Sequence, residues 1–116
     1  MSNKEVLLRH IAGIMPVNTS HGVGEKRIIA TGDNAGSNIT QIARTKLNAG
    51  EKIEMHVHQT MDEHFFFLEG KCMVNVDGDS MICIGEDYLL IPAGIQHELN
   101  SVADTVMITI GIVVGE

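Results

Sequence analysis

From Lys26 onward the chain is a succession of short apolar runs. KRIIAT, NITQIARTKL, KIEMHVH, EHFFFLEG, CMVNV, SMICI, DYLLIPAG, HELNSV and TVMITIGIVV are rich in β-branched or aromatic residues. Gly, Asn and Asp separate them at fairly regular intervals, the pattern of an all-β sandwich or barrel. Within NITQIARTKL the period is two: Ile39, Gln41, Ala43, Thr45 and Leu47 share one face, and Asn38, Thr40, Ile42, Arg44 and Lys46 the other. No segment shows a convincing helical period. Pro92 closes the LLI run, where a missing N–H is tolerated.

Residues 1–25 are looser. EVLLRHI reads as a single helical turn or an arm, and PVNTSHGVGE as loop. The expected organisation is thus an N-terminal arm over 1–25 and one β domain over 26–116.

The dipeptide Asp77-Gly78 predicts a hairpin. A two-residue turn pairs Val76 with Asp79 and Cys72 with Cys83. A four-residue turn, DGDS, pairs Val76 with Met81 and sets Cys72 opposite Gly85. Only the first register brings the sulfurs together, and free thiols are the simpler expectation in a reducing compartment.

At 116 residues one domain is the natural size. No window approaches a membrane span, and charges flank the short apolar run near the start, unlike a signal peptide. A cytoplasmic location is the default expectation, with no membrane partner. The net charge of −7, without any basic block, argues against nucleic acid.

Three of the six histidines fall in HVHQTMDEH, residues 56–64. On a strand His56 and His58 point to one face. Glu63 opens the next strand and faces them if the two strands are neighbours. Imidazoles with a carboxylate suit a divalent transition metal. His64, next to Glu63, is sent to the opposite face by alternation. Phe65 and Phe67 share the inward face with Glu63, and Phe66 points out and needs cover. His97, after the Pro92-Ala93-Gly94 turn, is the downstream candidate. His10 and His21 receive no role. Copper ligation by a methionine sulfur is a minor alternative.

The chain resembles the cupin family on two motifs. The first runs Gly50-EKIEM-His56-Val57-His58-QTMD-Glu63-HFFFLE-Gly70, with every fixed position matched. The second is carried by Pro92-Ala93-Gly94-IQ-His97. It departs at both flanks: Glu86 and Ser101 stand where the family has Gly and Asn, with Gly85 and Asn100 one place early. The resemblance implies a jelly-roll β-barrel of two antiparallel sheets, with one metal held by His56, His58, Glu63 and His97. It also suggests a homodimer in which the arm is exchanged.

Such a ligand set leaves an octahedral ion two open positions. Fe, Mn, Ni, Zn and Cu all tolerate it. The leading expectation is a metal-dependent enzyme of oxygenase, isomerase or decarboxylase type acting on a polar small molecule. Tyr88, Arg44, Gln41 and Glu54 are its candidate polar groups. The alternative is a non-catalytic module that binds or senses a metal or small ligand.

Overall fold

The computed structural model describes residues 5–114. Met1–Lys4 and Gly115–Glu116, the outer ends of the expected arm and domain, lie outside them. Ten strands run β1 Val17–Asn18, β2 Glu25–Thr31, β3 Ile39–Leu47, β4 Lys52–His56, β5 Met61–Glu69, β6 Lys71–Val76, β7 Asp79–Ile84, β8 Tyr88–Ile91, β9 His97–Ser101 and β10 Thr105–Val113. They form a six-stranded sheet, β1-β2-β3-β10-β5-β8, and a four-stranded sheet, β4-β9-β6-β7. Every pairing is antiparallel. The expected barrel is met only loosely, since among the described residues no strand pairing closes one sheet onto the other.

The core lies between the sheets. It is built from inward side chains such as Leu47, Phe65 and Phe67 of the large sheet and Cys72, Val74 and Leu99 of the small one. The alternation of β3 holds: Ala43, Thr45 and Leu47 are buried, while Lys46 is exposed. So does the triplet in β5, with Phe65 and Phe67 buried and Phe66 42% exposed. All but the last residue of the apolar run TVMITIGIVV forms β10, flanked on its two sides by β3 and β5.

Asp77 and Gly78 have φ of 49° and 92°, the paired left-handed conformation of a two-residue hairpin turn. Val76 accordingly faces Asp79 and Cys72 faces Cys83. Both thiols are free and buried. Burial pushes the Cys72 thiol up to about 12, with neighbouring Cys83 adding to the shift.

Among the described residues, helix is present in two short pieces that hydrophobic periodicity does not announce. Ile11–Gly13 is a 3-10 turn. Gly32–Ala35 is a single α-turn, α1. Asn34 Oδ1 accepts the Thr31 N–H at its start, and Gly36, at φ 60°, ends it. The looser N-terminal segment also contributes β1, and Arg27 holds it by donating to the carbonyls of Ala12 and Ile14.

Candidate metal centre

The two sheets meet at a side-chain cluster. His56 ends β4 and His97 begins β9, and the two are register partners in the small sheet. Their rings lie 4.2 Å apart. A register shift separates Ile53, paired with Leu99, from His56, paired with His97. Three residues of β4 thus span two of β9, a β-bulge. Without it, alternation from buried Ile53 would turn Met55 inward. Met55 is instead exposed and His56 faces the interior.

His58 lies just beyond the strand, with its ring 5.0 Å from that of His56. Glu63 comes from β5, in the other sheet. The expectation that the strands of His56 and Glu63 are neighbours is therefore corrected. The connection after His56 crosses from one sheet to the other, and Glu63 approaches from the opposite wall.

The donor atoms of His56, His58, Glu63 and His97 all lie within 4.8 Å of one another. A Glu63 carboxylate oxygen is 3.5 Å from His58 Nε2 and from His97 Nε2. These separations are long for hydrogen bonds, and they suit groups arranged around a shared centre. His56 Nδ1 lies 2.8 Å from the Glu54 carbonyl, and His97 Nδ1 lies 3.0 Å from that of Ile95. A carbonyl can only accept, so in each ring Nδ1 carries the proton and Nε2 offers its lone pair. His97 Nε2 is buried with no hydrogen-bond partner among the described residues. An orphaned buried nitrogen is costly unless something binds it.

Electrostatics follow from this crowding. Burial opposes ionisation of Glu63, but His58 and His97 outweigh it and hold the carboxyl down at about 2. Contact with Glu63 raises the His58 imidazole above its ordinary value. Burial lowers that of His56.

Surrounding turns hold the cluster in place. The Gly94 N–H donates to the His58 carbonyl at 2.8 Å, and the Ala93 N–H to Asp62 Oδ1 at 2.8 Å. The Pro92–Gly94 turn is thereby tied to the segment carrying His58 and Glu63. Asp62 was silent in the motif, because its partner lies far along the chain. Nothing in the sequence around His21 points to a role either. Its ring lies 4.3 Å from that of His56, brought there by the loop between β1 and β2. Burial lowers its imidazole too.

A cavity of about 310 Å³ opens beside the cluster. Of the four polar candidates only Gln41 lines it. Tyr88 lies on the outer face, 2.7 Å from His64 Nδ1, which confirms the outward parity of His64. Arg44 faces the outer side of the large sheet beside Arg27 and Glu69. Glu54 is exposed and contributes its carbonyl alone. Their positions follow from strand parity and from the bulge.

The family model described as "Cupin domain" matches residues 43–113. The chain belongs to the cupin family. The resulting cupin is 30% identical over 91 residues to quercetin 2,3-dioxygenase of Bacillus subtilis, covering 72% of this chain and 27% of that protein. It is 26% identical over 81 residues to the polyketide synthase protein CurC of Streptomyces cyaneus, covering 70% of this chain and 53% of the relative. The chain thus spans about half, or less, of the length of these curated relatives. In three dimensions it is similar to a Thermotoga maritima protein described as a predicted oxalate decarboxylase. That match has a TM-score of 0.87 at 18% identity, over 93% of this chain and 100% of the other. No described helix is long and apolar enough to cross a membrane.

Proposed function

We propose that this cupin is a metal-dependent enzyme acting on a small polar molecule, with His56, His58, Glu63 and His97 as the ligands of one divalent transition metal. The observation that carries the reading is the convergence of the four donors on the partnerless Nε2 of His97. The donor set fits such an ion. Ligands about 2.1 Å from a metal lie at most about 4.2 Å apart, so the 4.8 Å spread needs only a small adjustment. When bound, the metal supplies a Lewis acid able to polarise a coordinated oxygen or to take part in oxygen chemistry.

The chain's own residues supply the rest. The Glu54 and Ile95 carbonyls hold His56 and His97 in the metal-binding tautomer. Phe65, 3% exposed, packs its ring 6.5 Å from His97 and limits water on that side. Glu63 brings one negative charge, already ionised well below neutral pH. The cavity admits a small molecule, and its wall carries hydroxyl, amide and ammonium groups from Thr40, Thr45, Thr109, Gln41 and Lys26. These polar groups, set among apolar Ile53, Met61, Phe65, Leu99 and Met107, favour an enzyme over a closed storage site.

The names of the similar proteins support oxygenation or decarboxylation as the reaction class. The test is oxygen uptake and carbon dioxide release by metal-loaded protein supplied with diols, thiols and keto acids. Turnover of one class, abolished by His97→Ala, supports the reading. Inertness toward all of them, with metal bound, would favour the binding module.

We also propose that two copies pair through the outer face of the large sheet, with residues 1–25 as the arm. Phe66, Leu68, Tyr88 and Leu90 leave an exposed apolar surface there. In the arm, Val6, Leu8 and Met15 are more exposed still.

A further inference from the structure

The wall of the cavity contributed by the large sheet has a charge of its own. Lys26 pairs with Thr45 in the β2–β3 ladder. Cross-strand partners share a face. Thr45 is buried, so Lys26 also points inward. Among the described residues lining the cavity, Lys26 is the only lysine or arginine and Glu63 the only carboxylate. Among the described residues Lys26 makes no ion pair. It donates instead to Gln41 Oε1 at 3.0 Å. That contact occupies the amide oxygen of Gln41 and leaves its NH₂ as a donor. Lys26 has further N–H groups to give. The result is a donor-rich spot with one positive charge, facing a cavity in an acidic protein.

Its position relative to the cluster follows from the register. Gln41 faces Gly111, and Gly111 faces Glu63. The three form one row across the sheet, in which the middle residue has no side chain. Gln41 and Glu63 are therefore two strand spacings apart, about 10 Å along the wall. Long side chains at both ends shorten that gap to the reach of a small molecule.

We propose that Lys26 and Gln41 form an anchor for a carboxylate, and that the substrate is a small hydroxy or keto acid with a second, distal carboxylate. Its chelating end meets the His56–His97 cluster, and its distal end meets Lys26 and Gln41. One ammonium group balances one monoanionic carboxylate, which favours a carboxylate there over a dianionic phosphate. This assignment rests on the metal-site reading above and adds the class of substrate to it.

The test uses malate, and as control its neutral-ended analogue in which the distal carboxylate is an amide. Binding to protein loaded with Mn(II) is read by water-proton relaxation, independently of turnover. The wild type binds malate at least about tenfold more tightly than the amide, as expected for a charge-assisted hydrogen bond. Lys26→Met removes that preference while leaving Mn(II) content unchanged. Gln41→Leu reduces it in the same direction and serves if Lys26→Met fails to fold. Equal affinity of the wild type for the two probes would overturn the proposal, as would a preference that survives both substitutions. If no Mn(II) binds, the loading is repeated with Fe, Ni, Zn and Cu, and the metal reading falls by itself only if none of them binds. Amide NMR shifts of Lys26 and Gln41 on adding malate to the metal-free protein then decide the anchor. Shifts lost in Lys26→Met uphold it, and their absence in the wild type overturns it.

Discussion

His56 and His97 stand directly opposite each other in the β4–β9 pair, with ring centroids 4.2 Å apart. One comes from the first cupin motif and the other from the second, and 40 residues of chain separate them. Their meeting depends on the bulge between Ile53 and His56, which turns His56 inward. Glu63 then closes the cluster from the opposite sheet.

The lowered pKa of Glu63 has a consequence for metal-free protein. Its folded value, about 2, lies below the ordinary 4.5. The contribution is therefore fully present above pH 4.5 and is lost as pH falls from there toward 2, by an amount on the order of 3 kcal/mol. Urea unfolding across that window should show the loss in the wild type and a flatter profile in Glu63→Gln. Parallel profiles would contradict the prediction.

The motif glycines make unequal demands. Gly70 has φ 103°, and a Cβ there would lie 2.3 Å from the Asp104 backbone oxygen. Gly50, at φ 89°, has open space around it. Gly70→Ala should cost at least about 3 kcal/mol and Gly50→Ala only about 1 kcal/mol, compared by chemical denaturation. Glu86, in place of the family's Gly, adopts φ 74°. Glu86→Gly should raise stability by up to about 1 kcal/mol.

Both cysteines should be inert in the folded protein. Burial raises Cys72 to about 12 and shifts Cys83 upward as well. At pH 8 a thiol reagent should leave both unmodified in the native state and label both at once in urea. Rapid native labelling would contradict the buried face-to-face placement.

Pairing through the outer face of the large sheet predicts a dimer in sedimentation. The ring of Phe66 lies 5.1 Å from that of Tyr88 on that face. Phe66→Glu should shift the protein to monomer without lowering its metal content. An unchanged dimer would place the interface elsewhere.

Much of this architecture was legible in local sequence, because local rules govern it. Asp77-Gly78 marked the hairpin and left two registers, between which the pairing of Cys72 with Cys83 decides, and alternation sorted Phe65, Phe66 and Phe67. Spacing brought together His56, His58 and Glu63, and the cupin resemblance added His97 as the fourth residue of the cluster. What escaped depends on contacts distant in sequence. The bulge shows only when β4 is laid against β9. Glu63 crosses between sheets, which spacing within one motif cannot reveal. His21 reaches His56 through a loop with no periodicity, and Asp62 and Lys26 find their partners on other strands. Gln41 was placed on the correct face of β3, but its role needed Lys26 beside it.

The most direct test is the metal content of purified protein after growth in medium supplemented with Fe, Mn, Ni, Zn and Cu. The wild type and His64→Ala should each carry about one ion per chain, and His56→Ala should lose most of it. Wild-type protein without metal, or equal losses in the two variants, would contradict the account.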